Sequence, residues 1–122
     1  MTLTPLIIKH NWTEISNEPI SEAIIRTLYL STDEYVYRFS PHKYDANVRF
    51  PGTAGLPFVV YVLNGECKFQ WGKLEVILNA SEFSNIPKGD YRFEVLGNAE
   101  VSLMKVFAKK KENKDSSKKP LS

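Results

Sequence analysis

Residues Phe58 to Arg92 read FVVYVLNGECKFQWGKLEVILNASEFSNIPKGDYR, and the reading of this stretch decides the fold. Phe58 to Leu63 is an unbroken apolar run, β-branched and aromatic, of the length of a buried strand. Asn64-Gly65 follows, a pair that supplies the positive φ of a tight hairpin. Cys67, Phe69 and Trp71 then alternate with polar residues, the period-2 pattern of a half-buried strand. Gly72-Lys73 makes a second turn, Leu74 to Leu78 a third strand, and Ile86-Pro87-Lys88-Gly89-Asp90 a tight corner opening a fourth.

Outward from this core, the same style of sequence continues. Tyr91 to Val95 and Glu100 to Phe107 are strands separated by the Leu96-Gly97-Asn98 turn. Upstream, Tyr35 to Phe39 alternates, with Tyr35, Tyr37 and Phe39 on one side and Val36 and Arg38 on the other. The segment from Pro41 to Pro57 is irregular and rich in Pro and Gly, with Asn47 to Phe50 as its one strand candidate. Residues 20–30 admit two readings. Ile20, Ala23, Ile24 and Leu28 would share one face of a capped helix, whereas the β-branched density of Ile24-Ile25-Arg26-Thr27 and the following Leu28-Tyr29-Leu30 favour a strand, which is the expectation adopted. Nine or ten short strands with frequent turns and no long helical period predict an all-β sandwich or barrel, with the double-sheet jelly roll as its closure.

Composition bounds the function. A chain of 122 residues, 43% hydrophobic and 12% aromatic, is one domain with a real core. No apolar run reaches the roughly 20 residues of a membrane-spanning helix, and MTLTPLIIKHNW lacks a basic lead-in and a cleavage site, so a cytoplasmic location without membrane partners is expected. The single cysteine, Cys67, excludes an internal disulfide framework. Residues 109–122 hold 6 of the 16 basic and 2 of the 14 acidic residues; this tail is therefore +4 and residues 1–108 are −2. The body is not basic and the tail has neither aromatics nor periodicity, so nucleic acid is not the expected partner and the tail reads as a solvated, disordered end. Leu3 to Ile8 is a short apolar run interrupted by Pro5, suited to an arm laid along an edge. The expected organisation is an arm over residues 1–11, possible packing of that arm on a partner subunit, a barrel over 12–108 and a tail over 109–122.

In layout the chain resembles the cupin superfamily over about residues 12–107, through Trp12, Val62-Leu63-Asn64-Gly65, Ile86-Pro87-Lys88-Gly89 and the closing strand Val101 to Phe107. The resemblance extends to small single-domain bacterial cupins, including those acting on sugar acids and the tellurite-resistance type with its Thr-x-Gly before the same strand. It implies a double-stranded β-helix, the cupin-type jelly-roll barrel, and an N-terminal arm packed on a second subunit in a homodimer. It also locates where a metal would sit. In metal-bearing cupins a Glu lies seven residues before the hairpin glycine and a His-x-His pair just before that; counting back from Gly65 gives Phe58, and Thr53 with Gly55 or Ala54 with Leu56. A His three residues after the Gly of Pro-x-Gly corresponds to Arg92, and Ser81 stands where a glycine is usual. None of the four ligand positions carries a metal-binding side chain, and a guanidinium repels a cation, so no metal and no other cofactor is expected.

The candidate site follows from those replacements. If Arg92 inherits the inward direction of the missing ligand, it offers a fork for a carboxylate, phosphate or sugar hydroxyls, with Phe58, Tyr37 and Tyr91 as walls and Val60, Val62 and Glu94 on the same face. Arg38 and Arg49 would add basic character at the rim. The expected function is metal-independent binding of a small polar or anionic ligand in the barrel. Two alternatives belong to other classes. A metal-free sugar or sugar-acid isomerase or epimerase would draw on Tyr91, Glu94 and His42 as acid–base groups. A structural or protein-interaction homodimer would instead expose Tyr61, Phe69 and Trp71.

Overall fold

The computed structural model describes residues 8–30 and 32–110. Nine strands run in chain order through these residues: β1 Lys9–Asn11, β2 Tyr35–Tyr44, β3 Arg49–Ala54, β4 Phe58–Asn64, β5 Glu66–Trp71, β6 Leu74–Asn79, β7 Glu82–Ile86, β8 Gly89–Leu96 and β9 Val101–Lys110. They form two sheets in the orders β1-β7-β4-β9-β2 and β3-β8-β5-β6, with every neighbouring pair antiparallel. Facing antiparallel sheets of this kind are the jelly roll that the strand count and turn spacing predict.

The alternation within β4, β5, β8 and β9 turns their apolar sets toward one shared interior. Phe58, Val60 and Val62 meet Val101 and Leu103 from the same sheet and Cys67, Phe69, Phe93 and Val95 from the other. The Asn64-Gly65 turn joins the sheets, and its glycine is obligatory on two counts. Gly65 has a φ of +84°, and a Cβ there would lie 2.6 Å from the Glu100 carbonyl oxygen. Asn64 Nδ2 donates to that same carbonyl at 2.9 Å, tying the turn to the start of β9; β4 and β5 lie in different sheets and do not pair, so the turn expected to close a hairpin is a crossing between sheets.

A second apolar layer lies on the outer side of the five-stranded sheet, and here the expected strand over residues 24–30 is overturned. Glu22–Thr27 is an α-helix, α1. Ser21 caps it, its Oγ accepting from Ile24 N at 3.2 Å, with Glu22 in the first turn and Arg26 in the last. The helix covers Tyr61, Met104 and Val106 on the back of β4 and β9, with Ile25 completely buried and Ile20, Ile24 and Tyr29 packed around it. A local cap and tertiary burial outweigh the modest β preference of two isoleucines and a threonine. Trp12 seals the other side of this layer, its indole nitrogen donating to Glu18 O at 2.7 Å.

Three boundaries differ from expectation. The strand predicted over Tyr35 to Phe39 continues to Tyr44, with Pro41 tolerated because β2 is the edge of its sheet. The segment before Pro57, expected as irregular with a short strand at 47–50, contains β3 over Arg49–Ala54. Lys109 and Lys110, assigned to the tail by composition, are the last residues of β9 and pair with Val36 and Tyr35. The expected arm and tail otherwise lie outside the described residues, apart from residues 8–11, where Lys9–Asn11 pair with β7 of the same chain.

Candidate functional site

Side chains on the inner face of the five-stranded sheet are set by register, row by row. Phe107 on β9 is flanked by Arg38 on β2, and its ring lies 5.2 Å from that of Phe58 on β4. In the next row Lys105 stands between Val60 and Ser40, then Leu103 between Val62 and His42. Deeper still, Val101 pairs with Tyr44. The interior is thus aliphatic and aromatic at the Gly65 end and cationic at the other.

At that cationic end a cleft of about 270 Å³ is lined by Arg38, Thr53, Phe58, Tyr91, Lys105 and Phe107, with residues 54–56 as its rim. The Arg38 guanidinium lies 4.8 Å from the centroid of the Phe107 ring, and Lys105 Nζ lies 5.1 Å from that of Phe58. Both are cation–π distances. Among the described residues the ion pairs are Lys9–Glu82, His10–Glu14 and Lys68–Glu94, and none involves Arg38 or Lys105. Along β2, β4, β8 and β9 no position facing this interior is Asp or Glu. Burial depresses the Lys105 pKa below the usual lysine value. Desolvation lowers that of His42 first, and the Lys105 charge lowers it further.

Tyr91 completes the cleft from the four-stranded sheet. Its ring lies over Gly52 on β3, where a Cβ would come within 2.6 Å of it, so the missing side chain is what lets the tyrosine lie flat across the edge strand. Phe58 is 6.4 Å away and Trp71 also 6.4 Å. Burial raises the Tyr91 pKa, so the hydroxyl keeps its proton and can donate. Trp71 Nε1, in the same layer, is enclosed and has no hydrogen-bond partner among the described residues, an additional donor at this end of the barrel.

The structure brings together two of the four predicted ligand-binding residues, Phe58 and Tyr91, at 4% and 7% exposure. It corrects the orientation of the other two. Arg92 points outward, because the strand leaving Pro87-Lys88-Gly89 directs Tyr91, Phe93 and Val95 inward and the intervening residues to the surface. On that outer face Arg92 lines two open hollows of about 600 and 460 Å³, both bounded by Pro51 and Gln70. Tyr37 lies on the back of the other sheet, 5.2 Å from Tyr29 and beneath α1, and is no wall of the barrel.

The expected acid–base set does not converge either. Glu94 shares Arg92's outward face and pairs with Lys68 at 3.5 Å, while Tyr91 faces inward. His42 does face inward, its ring stacked 5.8 Å from Tyr44 and its Nε2 bonded to Ser40 Oγ at 3.0 Å. Tyr61 and Phe69, named as a possible exposed stripe, are both buried, and Cys67 is enclosed with its thiol pushed up to about 12 by desolvation. The residue missed from the sequence is Lys105. Its signal was available, since a lone lysine interrupts the apolar face Val101, Leu103, Phe107 of the closing strand.

No protein-family model matches the sequence, and no curated protein sequence matches it. Solved structures do match in fold. The ethanolamine utilization protein Q of Salmonella typhimurium aligns with a TM-score of 0.51 and 24% identity over 58% of this chain, which spans only 56% of that protein. A cupin-2 domain protein from Shewanella frigidimarina aligns at 0.50 with 17% identity, over 74% of this chain and 94% of its own. A cupin superfamily protein from Desulfitobacterium hafniense also reaches 0.50, with 7% identity over 88% and 81% of the two chains.

The donors present do not fit the metal that many cupins carry. Arg38 and Lys105 are cations, Phe58 and Ala54 are apolar, and no three His, Cys, Asp or Glu side chains cluster among the described residues. Two antiparallel sheets, the Gly65 turn between them, the Pro87-Lys88-Gly89 corner and these structural neighbours together identify the chain as a divergent cupin-fold protein, a double-stranded β-helix.

Proposed function

We propose that this cupin-fold chain is a metal-independent, cytoplasmic binding protein for a small anionic ligand held at the barrel mouth. The observation that carries the reading is the pair of inward cations, Arg38 and Lys105, each over an aromatic ring and neither with an acidic partner among the described residues. Lys105 is half-buried without a counter-charge among the described residues, which costs stability that a ligand anion offsets on binding, while Arg38 is the exposed cation of the rim. Arg38 supplies a planar fork for a carboxylate or phosphate, Lys105 a point charge, and Phe58, Phe107 and Tyr91 the walls. The cleft is near the small end of ligand pockets, which favours compact metabolites.

A thermal-shift screen of carboxylates, phosphates and sugar acids tests it. A matching ligand at 100 times its Kd should stabilise the fold by about 2.7 kcal/mol, and Arg38→Ala should lose the shift. Zinc, nickel, manganese and iron(II) in the same screen should leave the melting temperature unchanged. A metal-dependent rise, or silence toward every anion, overturns the reading.

A homodimer is the proposed assembly. Leu28 and Leu30, on either side of the Tyr29 that packs on Tyr37, and Tyr35 and Val36 at the start of β2 are exposed apolar side chains, and β2 has one strand neighbour among the described residues. A second copy would cover both features, and sedimentation showing a monomer at micromolar concentration would count against it. The isomerase or epimerase alternative keeps Tyr91 and His42 on the inner face but loses Glu94.

A further inference from the structure

We propose that Lys105 forms an imine with small 2-oxo acids, Arg38 holding the carboxylate while the lysine amine attacks the adjacent carbonyl carbon. This deepens the anion-binding reading by naming the substrate class, and it rests on that site.

The geometry supplies the two contacts such a molecule needs. Arg38 lies opposite Phe107 and Lys105 opposite Ser40, so the two cations are diagonal neighbours on one face of β2 and β9. Diagonal pairs have Cβ atoms about 7–8 Å apart, within reach of two long side chains converging on one small molecule. In a 2-oxo acid the carboxylate and the carbonyl are directly bonded, so a carboxylate on the Arg38 fork leaves its neighbouring carbon facing the lysine. Ordinary surface lysines are protonated and unreactive. Lys105 differs in being inward, half-buried beside Phe58, without an acid to hold its charge among the described residues, and depressed in pKa by desolvation. The neighbouring groups on the same face add no carboxylate: Ser40, His42 and Arg38 come from β2, Val60 and Phe58 from β4, and Tyr91 from the facing sheet.

The step balances without a further reagent. The ammonium first releases a proton, the neutral amine forms a bond to the carbonyl carbon, the carbonyl π pair moves to oxygen, and that oxygen takes up a proton from the Tyr91 hydroxyl in the same cleft, the tyrosinate being restored by the proton the ammonium released. Loss of water from the carbinolamine leaves a protonated imine. Overall an ammonium and a carbonyl become an iminium and water, so the charge beside Phe58 is the same before and after.

The test uses the full chain with pyruvate and cyanoborohydride at neutral pH, read by intact mass and peptide mapping. The expected result is one reduced pyruvyl adduct per chain, on Lys105, formed several-fold faster than on the average surface lysine, because a lowered pKa leaves more of its amine neutral at this pH. Lys105→Arg should abolish it, and Arg38→Met should slow labelling by pyruvate more than labelling by acetaldehyde, which has no carboxylate. Lactate, which has the carboxylate but no carbonyl, separates the two readings. Stabilisation by lactate with no pyruvate adduct on Lys105 overturns the imine and leaves the anion site standing, whereas neither stabilisation nor adduct overturns both. Mapping on the wild-type chain keeps the test decisive if a variant fails to fold, since adducts spread evenly over surface lysines also overturn the proposal.

Discussion

The two ends of the barrel interior are built on the same strands yet have opposite chemistry. Toward the Gly65 turn, β4 and β9 present Val62, Val101 and Leu103 against Cys67, Leu78 and Val95. Four residues along β9 from Val101 the same inward face presents Lys105, then Phe107, with Arg38 beside them. The Gly65 end is the part that holds the sheets together, because aliphatic burial is worth about 25 cal/mol per Å² and requires no partner. The mouth is the part that gives up stability, holding charge in a half-buried cleft among aromatic rings. A site that costs stability and sits at one end of an otherwise satisfied core is where function is expected.

Substitution along β9 sharpens this contrast. Leu103→Ala, at a position 1% exposed and central in its sheet, should lower the unfolding free energy by about 2–5 kcal/mol in urea titration, since a cavity is left that neighbouring strands fill poorly. Two residues further on, Lys105→Met should do the reverse and raise the melting temperature. Lys105 has a folded-state pKa below its unfolded value, so wherever both states are protonated the folded chain carries the full cost of the buried charge. As pH climbs through the depressed value toward the ordinary 10.5, the unfolded chain binds more protons than the folded one and the wild type gains stability. The advantage of the methionine variant should therefore be largest at neutral pH and fade on approach to pH 10.5. If Lys105→Met is destabilising at neutral pH, the mouth is a structural cluster and the contrast breaks.

The smallest expected effect is at the residue the sequence placed first. Arg92→Ala should change stability by no more than about 0.5 kcal/mol and leave anion-induced melting shifts intact, because its side chain lies on the outer face. Loss of those shifts in the Arg92 variant would move the binding site from the barrel mouth to the hollows on the outer sheet.

The strand pattern, the Asn64-Gly65 and Pro87-Lys88-Gly89 turns, and hence the jelly roll were legible in the sequence, because period-2 alternation and positive-φ residues are local properties. The inward direction of Phe58 and Tyr91, both buried, follows from the same alternation. What the sequence left open was direction. A shift of one residue in register turns a whole strand inside out, so Arg92 was read as inward when Tyr91 and Phe93 are, and the two cations of the inner face, Lys105 and Arg38, became neighbours only when β9 lay against β2. Helix α1 is the other case: Ser21 and the apolar face were visible, but the choice against a strand depended on Tyr61, Met104 and Val106, residues far along the chain whose exposed backs needed a cover. Local geometry determined which segments extend and turn; burial against distant residues decided which face looks in, and with it where the charge lies.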